Sequence, residues 1–154
     1  MQGWHVGVFA FVTNFISNGN EHCHFLRLGF LPLMTILSID HVQLAMPEGE
    51  EEKARAFFVH VLGFIEISKP AELAKRGGAW FQSGNAQLHI GVEKDFHPAR
   101  KAHPAFIVDD LDARLKKAQL AGYETDTSQP PLDGYKRVHV FDPFGNRIEL
   151  MEKI

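Results

Sequence analysis

Asp142-Pro143-Phe144-Gly145-Asn146-Arg147-Ile148-Glu149-Leu150 is the stretch that decides how this chain of 154 residues folds. Asp, Pro, Gly and Asn crowd its first half, the chemistry of a turn, and residues 147–151 then alternate polar and apolar side chains at the period of a strand. Residues 137–141 alternate in the same way just before it, so a hairpin is expected around 142–146. An earlier stretch answers this one. Residues 79–82 and 86–92 flank Ser83-Gly84-Asn85, and Gly84-Asn85 matches Gly145-Asn146. Further out, Leu62-Gly63-Phe64 matches Ala121-Gly122-Tyr123. Each of these segments follows an amphipathic helix. Ala54, Phe57, Phe58 and Val61 fall at i, i+3, i+4, i+7 before Gly63; Leu111, Leu115 and Ala118 make a stripe between an N-cap at Asp109 or Asp110 and a stop at Gly122. A strand precedes each helix (39–45 and 103–108) and another follows it (64–69 and, more weakly, 123–127). The order β-α-β-β-β therefore occurs twice, in modules at about 36–95 and 101–153 of one α+β domain spanning 34–154.

Residues 1–33 differ in composition. They carry five phenylalanines but only two charged side chains, Glu21 and Arg27, and no Lys or Arg precedes the apolar run 6–12 as a secretory signal would require. That run is also shorter than the ~20 residues a bilayer span needs. We expect this leader to be a dispensable extension ahead of a natural start at Met34, the alternative being a real N-terminal segment that packs on a partner. His22-Cys23-His24 makes a poor metal site, because neighbouring residues rarely point at one ion. With a single cysteine and a net charge of −3, the composition argues for a reducing, cytoplasmic setting and against nucleic acid or an anionic membrane as partner.

The nine histidines are the compositional oddity. In a strand, alternate residues share a face, so the apolar members mark the side that packs on the helices. Val42 and Leu44, Leu88 and Ile90, Phe106 and Val108, and Ile148 and Leu150 mark it here. His41, His89, His103 and Glu149 then all lie on the other face, one from each of four strands, with Gln43 beside His41 and Gln87 beside His89. Imidazoles with a carboxylate are ligand chemistry for a divalent cation. His41 and His103 sit at equivalent places in the repeat; His89 and Glu149 do so if the two turns differ in length, and Gln87 is the alternative to His89. His139 faces away from Val138 and Val140, as a cross-sheet hydrogen-bonding residue or a catalytic one. Tyr135 and Arg137, with Arg76 and Lys101, lie in or beside loops where they are surface cations and polar groups or contacts to an anionic substrate. Phe58 and Phe106 are expected in the core, and His60 and His97 without a role. Phosphate-binding glycine loops and nucleophile-elbow patterns are lacking.

The segments Ile39-Asp40-His41-Val42, Gln87-Leu88-His89-Ile90, His103 to Asp110 and, above all, Asp142 to Leu150 resemble the vicinal oxygen chelate superfamily, which includes glyoxalase I, fosfomycin and bleomycin resistance proteins, and extradiol dioxygenases. The resemblance covers about residues 36–153. It implies two βαβββ modules forming a cupped, eight-stranded mixed sheet with helices on the convex side, paired within one chain or across a homodimer. It also implies that His41, His103 and Glu149 match the shared metal-ligand positions. His89 lies near the fourth, where the glyoxalase I type carries glutamate. The resulting expectation is a metal-dependent enzyme that chelates a small oxygenated substrate through two oxygens on Fe, Mn, Ni or Zn. Glu149 is the candidate base, His139 an assisting residue, and Gln43, Gln87, Tyr135 and Arg137 the substrate contacts. The alternatives are a metal-free drug-binding protein of bleomycin-resistance type and a fosfomycin-type thiol transferase.

Overall fold

The computed structural model describes residues 36–154; the expectations about the leader, including His22, Cys23 and His24, lie outside the described residues. Both modules form. The first runs β1 (Val42–Met46), α1 (Glu51–Arg55), β2 (Ile65–Ile67), α2 (Ala71–Ala74), β3 (Ala79–Ser83) and β4 (Ala86–Val92). The second runs β5 (Ala105–Ile107), α3 (Leu111–Leu120), β6 (Thr125–Asp126), β7 (Tyr135–Phe141) and β8 (Arg147–Lys153). Each module makes its own four-stranded mixed sheet, ordered β1-β4-β3-β2 and β5-β8-β7-β6. The eight strands are thus hydrogen-bonded as two sheets of four rather than one ladder. The short helix α2 was not foreseen, and β1 begins at Val42, which leaves His41 just ahead of it.

The first helix changes pitch. After Arg55 it continues as a π-helical turn, Ala56–Val61, in which the Leu62 N–H donates to the Phe57 carbonyl (3.0 Å), and Gly63 (φ 81°) ends it. The wider turn keeps Ala54, Phe57, Phe58 and Val61 buried. Each fully buried phenylalanine contributes about 1.5–3 kcal/mol of transfer free energy. Phe57 meets Tyr123 edge-on at 4.7 Å and Phe64 meets Phe106 at 5.4 Å, so aromatic pairs bind one module to the other in a common core. In α3 the Asp110 carboxylate caps the Ala113 N–H (2.9 Å), and Glu152 from β8 accepts from Leu111 N–H (3.0 Å). No helix among the described residues is long and apolar enough to cross a membrane.

The two hairpins differ in their turns. Gly84 and Asn85 alone join β3 to β4, whereas residues 142–146 join β7 to β8. In the longer turn Asp142 accepts from the backbone N–H groups of Phe144 (2.9 Å) and Asn146 (2.8 Å) and from the Asn146 side chain (2.7 Å). Asn146, 1% exposed, also donates to the Ala45 carbonyl at the end of β1 (2.8 Å) and accepts from Ala99 N–H (2.9 Å). One buried amide therefore ties the turn before Glu149 to the other module.

Candidate metal centre

The ladders put the repeat in register. Gln43 on β1 and Trp80 on β3 both pair with His89 on β4. Ala105 on β5 and His139 on β7 both pair with Glu149 on β8. His89 and Glu149 therefore occupy one structural position, Trp80 and His139 another, and His41 and His103 stand two residues before Gln43 and Ala105. The position each module offers for chemistry is the same; the side chains there are not.

In the second module His103, His139 and Glu149 converge, with one nitrogen or oxygen from each lying within 4.8 Å of the others. His103 Nδ1 is 2.8 Å from the Lys101 carbonyl. A carbonyl can only accept, so Nδ1 carries the proton, and in a neutral ring the bare Nε2 faces Glu149 Oε2 at 3.3 Å. Two lone pairs cannot face one another at that distance unless a proton or a cation lies between them. The other carboxylate oxygen accepts from Arg137 Nη1 (3.1 Å), and the same guanidinium donates to the Pro130 carbonyl (2.8 Å from Nη2). Glu149 is only 7% exposed, which makes such cationic neighbours obligatory for its charge. His139 is 3% exposed; burial lowers its pKa below the ordinary histidine value and so favours the neutral, ligand-competent ring. Its Nδ1 has no hydrogen-bond partner and sits 3.8 Å from Asp126 Oδ2.

His41 and His89 stand outside this cluster. They stack on each other with ring centroids 4.0 Å apart, and Trp80 covers the other side of His89 at 4.0 Å in almost parallel planes. Burial first, then the neighbouring His41, lowers the His89 pKa, and its Nε2 is buried without a partner. His41 Nδ1 contacts Asp40 (2.7 Å) at the surface. Within one chain the four expected ligands thus divide into two pairs, one per module. Of the expected substrate contacts, Arg137 is engaged with Glu149, whereas Gln43 is exposed and Gln87 and Tyr135 half-buried. Sequence reasoning passed over Trp80 and Asp126: neither is a ligand type in a motif, and only the register shows Trp80 opposite His89 and Asp126 opposite His139.

Comparison with known proteins agrees with this architecture. The family model of the Glyoxalase/Bleomycin resistance protein/Dioxygenase superfamily matches residues 38–150. The chain belongs to this superfamily. A Bacillus anthracis protein solved as a glyoxalase family member is 50% identical, with a TM-score of 0.71 over 79% of this chain and 98% of its own. The protein YwkD of Bacillus subtilis (strain 168) is 29% identical over 130 residues, covering 78% of this chain and all of that one. The fosfomycin resistance protein FosX of Listeria monocytogenes, at 17% identity and TM-score 0.63 over 78% of this chain and 96% of its own, shares the fold. The superfamily includes both enzymes and resistance proteins, so the choice between them rests on the site.

Proposed function

We propose that the protein is a metal-dependent enzyme acting on a small oxygenated metabolite, with His103 and Glu149 at the heart of a divalent metal centre. The observation that carries this reading is His103 Nε2 directed at a buried carboxylate oxygen 3.3 Å away, with Nδ1 tied to a backbone carbonyl. That is how a metal-binding imidazole is held, its second nitrogen donating to the protein. Two imidazoles and one carboxylate suit Fe(II), Mn(II), Ni(II) or Zn(II). A bound ion would supply a Lewis acid for two adjacent substrate oxygens. Glu149, once relieved of one partner, is the group able to take up a substrate proton, and Arg137 keeps its carboxylate aligned. His139 lies beside it as an assisting acid or base.

The reading includes a homodimer. β1 and β5 are edge strands, each hydrogen-bonded on one side; exposed Ile39 precedes β1 two residues before His41, and exposed Ile107 lies in β5, the strand that follows His103. A second copy laid along these edges would cover them and bring the His41–His89 pair of one chain to the His103–Glu149 pair of the other. A second reading, a metal-free binding protein, is favoured by the Arg137–Glu149 pair, since a guanidinium already supplies a positive charge there.

Titration of metal-stripped protein with the four ions, followed by elemental analysis, separates the two. Glu149→Gln should fold but lose more than the ~10–100-fold in affinity that removal of a merely orienting neighbour causes, and His60→Gln, at an exposed helical position, should lose none. Equal binding by wild type and Glu149→Gln would overturn the enzyme reading in favour of the binding protein.

A further inference from the structure

The connector between β2 and β3 builds a second pocket, distinct from the cluster around Glu149. Lys69, Leu73, Arg76 and Gly77 from that connector face Gln43 of β1 and Trp80 of β3 across a cavity of about 270 Å³. Gly77 and Gly78 both have positive φ (69° and 77°), and a Cβ on Gly78 would lie 2.1 Å from the Ile90 carbonyl oxygen. Glycine is thus required for the connector to return this close to β4. Gly91 keeps the floor open: a Cβ there would meet the Gln43 amide nitrogen at 2.8 Å.

The chemistry of this lining is one-sided. It contains two cations and an amide but no carboxylate. Lys69 donates to the Gly77 carbonyl, which fixes its ammonium group at the pocket without neutralising it. The Arg76 guanidinium makes no hydrogen bond or ion pair among the described residues, although other cations nearby do: Lys75 pairs with Glu72 (2.8 Å) and Arg55 with Glu66 (2.8 Å). Glu51, in the adjoining cavity, accepts from the Gly78 N–H through one oxygen (2.8 Å) and feels the Lys69 charge, so it offsets part of that charge and leaves the Arg76 guanidinium without an acidic partner. A guanidinium left unpaired next to a held ammonium group, with an indole as wall, is a recognition site for a compact anion.

The geometry points to a binding site for a small organic anion, a carboxylate or a phosphoryl group, held by Lys69 and Arg76 with the Gln43 amide and bounded by Trp80. The site stands independently of the metal reading. Where that reading also holds, the ligand's charged end would be held by the same module that carries His41 and His89, because Trp80 stacks on His89.

Trp80 provides the probe. The chain contains two tryptophans, so a Trp4→Phe chain leaves Trp80 as its only indole. Inorganic phosphate and acetate, each titrated at constant ionic strength against chloride, should change Trp80 emission saturably. Tighter binding of phosphate would assign a phosphoryl ligand, and tighter binding of acetate a carboxylate. Arg76→Gln, at an exposed position, should weaken binding by at least about tenfold, as loss of a charge-assisted hydrogen bond does. Lys75→Gln, its neighbour outside the lining, should leave it unchanged. Three outcomes would overturn the proposal: no saturable change with either anion, equal binding by Arg76→Gln, or loss of anion binding in Glu149→Gln. The last would mean that the signal belongs to the metal centre.

Discussion

The two modules repeat one fold with different side chains at matching points. Where the first has Trp80 beside His89, the second has His139 beside Glu149; where the first pairs Ile67 with that tryptophan, the second pairs Asp126 with that histidine. The first module fills its positions with stacked rings, among which His89 Nε2 stays buried without a partner. The second fills the same positions with a buried carboxylate requiring positive charge and two imidazoles around it. A repeated backbone fixes where polar chemistry can be placed, and the substitutions between copies decide which half demands a ligand.

The strongest way to break this comparison is to ask whether the halves work together across two chains. His41→Gln and Glu149→Gln chains should each bind metal poorly. Mixed and allowed to exchange, they should regain roughly a quarter of wild-type sites, since half the dimers are mixed and each of those has one intact site of two. Elemental analysis showing no recovery would place both pairs within a single chain, and a monomer mass by light scattering would remove the dimer altogether.

The turns offer a second contrast, in stability. Asn146→Ala removes bonds to Ala45, Asp142 and Ala99 from a buried site and should cost about 2–3 kcal/mol, while Asn85→Ala, in the exposed two-residue turn, should stay within about 0.5 kcal/mol. Urea unfolding with similar losses at both positions would show that the long turn is not a special tie.

Acid should sharpen the distinction further. His89 and His139 both have pKa values lowered by burial, so each contributes stability that is complete above the ordinary value of about 6.5 and is lost as pH falls from there to the folded pKa. In chelator, Tm should therefore fall across that window, and His89→Gln and His139→Gln should each remove part of the slope. An unchanged slope in either variant would assign the titration elsewhere. The smallest effect concerns Asp126, whose carboxyl is held down to about 2, mainly by the Ser128 hydroxyl. Its contribution is present above the ordinary carboxyl range and fades as pH drops toward 2, so Asp126→Asn should flatten the acid limb of a Tm profile only there. A change at neutral pH would instead point to its neighbour His139.

Much of this organisation was legible from residue patterns. The helix stripe Ala54, Phe57, Phe58, Val61 is buried as its spacing demands, Asp110 caps α3, and Gly63 and Gly122 close the helices with positive φ. Alternation also identified His103 and Glu149 as sharing a face away from the helices. The π-helical turn was not legible, because the same stripe serves either pitch. Nor was the burial of His89 and Glu149, since period-two patterning names a face but not what covers it.

By itself, then, the sequence determined the repeat, the strand faces and the polar residues available on them, because these follow from local periodicity and turn chemistry. Only the tertiary structure decided that the four expected ligands separate into two pairs. Pairing depends on how β1 and β5 are brought together, and two edge strands with exposed apolar neighbours can be joined within a chain or between chains at similar local cost. The tertiary structure likewise decided that Arg137 bonds to Glu149, and that Arg76 and Lys69 line one pocket, since a side chain's partner depends on what surrounds its strand or connector and not on local alternation.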